Sequence, residues 1–247
     1  MSAGDIIVAL VVIAGVSFDF TNGFHDTANA MATTIATGAL PPKVAVGIAA
    51  VLNFAGAFIS LSVAATVAEG IVESGAVTPI VVLGGLIGAI SWNLTTWWFG
   101  IPSSSSHALI GGVIGSTLVA TGSGAIEWEG ILSKVLIPAA ISPVLAGLLA
   151  AIGVSVIYFL IRKFKEDEAE REFRWLQVAS SSMVALAHGT NDAQKTMGVI
   201  SLALIANGSL QGGANFTVPT WVAALSWLVA GVILVLNFKL LFDTLFG

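Results

Sequence analysis

The chain has 247 residues, of which 56% are apolar and 27 are Gly, against only 14 acidic and 9 basic side chains. Ten of those charges crowd into residues 162–174, so the other 234 residues carry 13 among long apolar runs. That balance excludes a soluble domain, a disordered chain and a coiled coil, and a net charge of −5 without a basic patch excludes nucleic-acid recognition. The runs are apolar on all sides and rich in Ala and Gly rather than alternating, which excludes a β-barrel. With no Cys there is neither a disulfide framework nor a thiolate metal site.

The expected fold is an all-α integral membrane protein with several spans. In chain order there is an interrupted apolar region at about 6–40 and single runs at about 44–68 and 78–99. Another run follows Pro102 to about 121, then a long one at 131–161, a second interrupted region at 175–207, and a last run at 220–242. The linker 162–174, RKFKEDEAEREFR, nearly alternates in sign and reads as a solvated helical extension or loop. Its five Lys and Arg residues place it on the cytoplasmic side of a plasma (inner) membrane. Counting back, Lys43 falls inside, and Glu69, Glu73, Glu127 and Glu129 fall outside. Segments 78–99 and 102–121 leave from and return to the outer face, as two crossings or as a re-entrant hairpin; charge does not separate the two. Trp92, Trp97 and Trp98 suit an interfacial belt.

The two interrupted regions resemble each other. Gly23-Phe-His-Asp-Thr-Ala-Asn-Ala-Met31 lies on Gly189-Thr-Asn-Asp-Ala-Gln-Lys-Thr-Met197 with Gly, Asp and Met coinciding. In the assigned topology the first region starts outside and its counterpart inside. The chain then divides into a first repeat, 1–161, the linker 162–174, and a partial second repeat, 175–247. Inverted repeats with broken helices at matching positions point to a secondary transporter with its site near the bilayer midplane.

Asp26 and Asp192 are the informative positions, because a carboxylate at bilayer depth is costly unless it faces a cavity, a cation or a proton path. Asn22, His25 and Asn29 neighbour the first, and His188, Asn191 and Gln194 the second. Asp26 and Asn29 share a helix face, and their oxygens suit a hard cation such as Na⁺. The run Pro102-Ser103-Ser104-Ser105-Ser106-His107 is the second constellation. Pro suits the first turn of a helix, and a helix start ringed by hydroxyls attracts an anion. An anion beside two carboxylates is repelled unless Na⁺ or H⁺ neutralises them. The membrane potential acts the same way, since each negative charge entering a cell costs about 2.3 kcal/mol per 100 mV.

At these residues the chain resembles the inorganic phosphate transporter (PiT) family, bacterial type. Gly23 to Ala30 is similar to its first signature, Pro102 to His107 to its hairpin motif, and His188 to Lys195 to its second signature. The resemblance implies Na⁺- or H⁺-coupled symport of inorganic phosphate, free or as a metal–phosphate complex, with no other cofactor, and a homodimer in the lipid bilayer. By that similarity Ser103, Ser104, Ser105 and Ser106, with Thr27 and Thr190, would bind phosphate. Asn22, Asp26, Asn29, Asn191 and Asp192 would bind the coupling cations, with Na⁺ at Asp26, Asn29 and Asp192. His25, His107, His188, Gln194 and Lys195 complete the polar site.

Two departures stand out. The family's second hairpin, with a Pro-x-Ser-Thr-Thr-His type motif, follows its second signature, whereas this sequence reaches Gly247 without one. A truncated product, a fragment, and a shortened member completed by a partner all fit that. Where the first signature has Asn29 the second has Lys195, whose ammonium could replace one coupling cation or simply snorkel. A competing function is an intramembrane hydrolase, with a serine of 103–106 as nucleophile and His107 or His188 as base. It leaves the paired Asp regions unexplained, and no G-x-S-x-G elbow occurs. A passive anion channel is the third reading, for which two buried carboxylates are poor lining.

Overall fold

Among the described residues, three proline-led or hydroxyl-capped helix starts and four glycines at positive φ divide the apolar chain into its elements. The computed structural model describes residues 3–59, 71–72, 77–162, 166–209 and 224, with the side chains of 3, 24–29, 166–169 and 193 outside that description. Helix α1 spans Ala3–Ala36 and is closed by Gly38 at φ 69°. Helix α2, Pro42–Gly56, starts on Pro41-Pro42, where a missing N–H costs nothing. Helix α3, Pro79–Trp98, is capped by the Thr78 hydroxyl, which accepts from the Val81 amide at 3.4 Å.

Gly100, at φ 63°, turns the chain into α4, Ser105–Thr121, whose N-cap is Ser104 and which ends at Gly122, φ 83°. Helix α5, Trp128–Ile161, is a 34-residue rod with a π-helical turn at Leu132–Leu136. Pro138 follows that turn and has no N–H with which to continue the regular ladder. Helix α6, Glu166–Ala206, runs 41 residues and takes up the charged linker from residue 166 on, so that part of the linker is a helical extension.

Every long described element is helical, as expected, but the expected breaks are absent. Helix α1 runs through residues 22–29 and α6 through 188–195 without interruption. A single Gly costs a helix about 1 kcal/mol, which the remaining turns of so long an element absorb. Gly189 serves packing instead. A Cβ there would strike the Asn53 backbone of α2, and one on Gly56 would come within 2.8 Å of the Thr190 nitrogen. The second half of the run expected at 44–68, and the run at 220–242 except Ala224, lie outside the described residues.

Helices α1 and α6 pack antiparallel. Thr34 hydrogen-bonds Ser181, and Thr196 bonds Asp19. Fifteen residues back along α1 thus match fifteen forward along α6. This register carries the backbone of Gly23 past Asp192 and that of Asp26 past Gly189. The α3–α4 hairpin closes tightly where Gly85 meets Gly112 and Val113. Val11 and Phe18 of α1, Val82 and Leu86 of α3, Leu109 of α4 and Val199 and Leu202 of α6 form the main core. A smaller cluster joins Met31, Ala45, Ala49 and Ala185.

Near the hairpin tip, Asn93 lies against Thr21 and Ser105 against Lys195. The tip therefore stands beside the middle of α1 and not at its end. Among the described residues, three helical stretches, Gly4–Gly23, Pro79–Trp98 and Trp128–Ile161, are long and apolar enough to cross a membrane. From Leu132 onward α5 buries no side chain, a face suited to lipid.

Candidate functional site

The site forms where the first turn of α4 meets the middle of α6. On α6 the spacing of His188, Asp192 and Lys195 puts all three on one face. His188 Nε2 stands 2.9 Å from Asp192 Oδ2, and Lys195 Nζ is 2.8 Å from Asp192 Oδ1. The Lys195 side chain is only 4% exposed, so its stem does not snorkel to an interface. Its ammonium also reaches Ser105 Oγ at 3.4 Å. A cation thus sits at the start of a hydroxyl-ringed helix, held by a carboxylate behind it. Positive potential and hydroxyl donors converge there, which is what an oxyanion needs.

The four serines have unlike tasks. Ser103 accepts from Trp92 Nε1 at 2.8 Å, which ties the tip to α3 and makes Trp92 a strut as well as an exposed aromatic. Ser104 is the N-cap, accepting from the His107 amide at 3.3 Å, and its Oγ lies 2.8 Å from the His107 ring. Ser105 is buried toward Lys195, and Ser106 is half-buried.

Of the remaining expected residues, Asn22 and Gln194 are buried. The Asn22 Oδ1 atom has no hydrogen-bond partner among the described residues. Thr190 is turned back, donating to the Ala187 carbonyl at 2.6 Å, and Asn191 is exposed. Neither joins the network in this conformation: a run of consecutive residues on a helix faces all directions, and only positions three or four apart align. His107 is exposed beside Ser104. The side chains of His25, Asp26, Thr27 and Asn29 lie outside the described residues.

One buried carboxylate went unexpected. Asp19 is 5% exposed and accepts a hydrogen bond from Thr196 Oγ1, with Asp192 and Lys195 within electrostatic range. Beside it, Thr21 Oγ1 donates to the Phe18 carbonyl at 2.8 Å and accepts from Asn93 Nδ2 at 3.4 Å. The available signal was an acidic residue in mid-run, one turn before Asn22. Comparing the repeats hid it, because the position equivalent to Asp19 is Ala185.

The phosphate transporter family matches residues 22–168 and 161–236. The chain belongs to that family. It is 53% identical over 216 residues to a probable low-affinity inorganic phosphate transporter of Mycobacterium tuberculosis, covering 87% of this chain and 52% of that one. A relative of the same description from Streptomyces halstedii is 46% identical over 188 residues, 74% of this chain and 86% of the relative. The chain spans about half the length of the mycobacterial relatives it matches. A solved structure, described as the sodium-dependent phosphate transporter, superposes with a TM-score of 0.77 at 22% identity, over 95% of this chain and 76% of its own. The fold is therefore that of this membrane transporter.

Proposed function

We propose that this family member carries inorganic phosphate across the membrane together with a cation, Na⁺ or H⁺. The observation that carries the reading is Lys195, whose buried ammonium bridges Asp192 and Ser105 at the first turn of α4. An anion entering there meets an ammonium, hydroxyl donors and a helix start at once. The names borne by its relatives support phosphate as that anion. In this reading Ser103 to Ser106 and, after rotation, Thr190 contact phosphate with Thr27. Asn22, Asp26, Asn29, Asn191 and Asp192 serve the coupling ions.

Coupling follows from charge. A phosphate near Asp26 and Asp192 requires compensation, and uphill entry against the potential requires at least as many positive charges as negative ones. The antiparallel register of α1 and α6, with Gly23 and Gly189 at corresponding places, supports the inverted division into 1–161, 162–174 and 175–247. The basic residues of the linker favour its cytoplasmic placement in a plasma membrane. The bare apolar length of α5 leaves room for lipid and for a second copy of the chain. Free phosphate and a metal–phosphate complex are both compatible with the ring of hydroxyls.

The proximity of Ser104 to His107 is a feature a hydrolase would share. That serine is occupied in capping α4, and its partner histidine is exposed, which favours transport. The test is uptake of radiolabelled phosphate into proteoliposomes under imposed Na⁺ or pH gradients. Accumulation above equilibrium that collapses with the gradient is expected. Equilibration alone would indicate a channel, and no uptake would refute the reading.

A further inference from the structure

The serine run between α3 and α4 is met from two directions by groups that can only donate. Lys195 Nζ lies 3.4 Å from Ser105 Oγ, and Trp92 Nε1 gives its proton to Ser103 Oγ at 2.8 Å. An ammonium and an indole N–H have no acceptor atom, so in each contact the serine oxygen receives the bond. A hydroxyl that receives keeps its one proton for another acceptor. Ser104 between them is extended, φ −93° and ψ 116°, which sets the side chains before and after it on one side of the chain.

Packing alone does not fix Trp92, which is 54% exposed, whereas Asn93 and Thr96 of the same helix are buried. A Trp in an interfacial belt turns its N–H toward water and headgroups. Trp92 turns it onto the hairpin tip instead. Along the loop, the Ile101 amide bonds the Thr96 carbonyl at 2.9 Å and closes α3, and Pro102 has no N–H to give. The indole bond comes next, followed by the Ser104 cap on the His107 amide. Trp92 thus fixes the residue that joins the end of α3 to the start of α4.

We propose that Trp92 is a positioning residue of the anion site, its indole N–H orienting the Ser103 hydroxyl so that the hydroxyl proton is presented to a phosphate oxygen. This rests on the phosphate reading and deepens it by naming the group that aims one of the hydroxyls. Trp92 does not touch the anion; it acts through Ser103. A hydroxyl that donates to a charged oxygen becomes a better acceptor, so the chain from indole to hydroxyl to phosphate is cooperative. Phosphate therefore strengthens the indole bond, and removing the indole N–H weakens phosphate.

The test uses the purified full chain with Trp92→Phe, Ser103→Ala, the two together, and Trp98→Phe, which removes an indole that is 78% exposed. Binding of radiolabelled inorganic phosphate and ultraviolet resonance Raman of the indole N–H are measured on each. W92F should lower phosphate affinity by about 2- to 10-fold, as for one neutral hydrogen bond, and S103A by about 10- to 150-fold, as for one to a charged group. The double variant should bind no more weakly than S103A, and W98F should match the parent. Saturating phosphate should shift one indole band in the parent and in W98F, and none in W92F or S103A. A residue that only stabilises the fold would lower the melting temperature without moving the band.

Unchanged affinity in W92F, a further loss when W92F is added to S103A, or an equal loss in W98F overturns the proposal. Should W92F fold poorly, the parent and S103A decide it: a band shift missing from the parent, or surviving in S103A, overturns it as well. If the parent binds no phosphate, the phosphate reading fails and takes this assignment with it, whereas any of those outcomes beside parental binding refutes the assignment alone.

Discussion

Replacing Lys195 by Met keeps the volume of the stem and deletes the ammonium. The lost contacts are 2.8 Å to Asp192 Oδ1 and 3.4 Å to Ser105 Oγ, in a side chain that is 4% exposed. Removing one partner of a buried ion pair costs about 3–5 kcal/mol, because the other is left charged and dry. Here the lower end applies, since Asp192 retains His188 and its side chain is 17% exposed. A loss near 3 kcal/mol lowers the melting temperature of a chain this size by about 6–12 °C.

Phosphate affinity should fall by about 10- to 150-fold, the equivalent of one charged hydrogen bond of 1.5–3 kcal/mol. The assay is thermal unfolding in detergent together with radiolabelled phosphate binding, for K195M, Asp192→Asn and the double variant. A coupling energy of about 0.5–3 kcal/mol between the two positions is expected. Additive effects on stability with unchanged phosphate affinity would refute the assignment of Lys195 to the anion site.

Replacing Ser104, Ser105 and Ser106 together by Ala should lower phosphate affinity at least tenfold while cation binding persists; Ser104→Ala alone should chiefly cost a helix cap, about 1 kcal/mol, read as a small drop in melting temperature. Gly189→Ala should destabilise strongly, because its Cβ would strike the Asn53 backbone, whereas Gly147→Ala meets nothing within 4 Å and should be neutral or gain up to about 1 kcal/mol of helix propensity. Thermal unfolding of the two variants side by side checks that contrast. Lys195→Asn should create or strengthen Na⁺ dependence of phosphate binding, and Lys195→Arg should retain the charge; binding against Na⁺ at two pH values decides it.

Hydropathy made most of the fold legible, since apolar runs near 20 residues have few alternatives to helices in a bilayer. Charge bias set a direction for each run but left the hairpin at 78–121 open; it took Thr21 against Asn93, and Ser105 against Lys195, to put the tip beside mid-α1. Polar residues and glycines at 22–29 and 188–195 read as breaks, yet on a helix they can align along one face or admit a neighbour's backbone. Gly189 does the latter. Proximity in the sequence set His188 and Lys195 near Asp192, and their side chains meet it because they lie four and three positions away on the helix. The same proximity kept Thr190 and Asn191, because adjacency in sequence says nothing about which way a helical side chain points. Asp19 was hidden for the opposite reason: its partner Thr196 is 177 positions away, a distance that local pattern cannot span.

The central claim is that the start of α4 and Lys195 together hold a phosphate ion. Equilibrium binding of radiolabelled phosphate to the purified chain, competed by arsenate and by sulfate, in the parent and in Ser105→Ala, tests it most directly. The account predicts saturable phosphate binding displaced by arsenate more readily than by sulfate, and weakened several-fold in the variant. Binding that is equal in parent and variant, or displaced equally by sulfate, would contradict it.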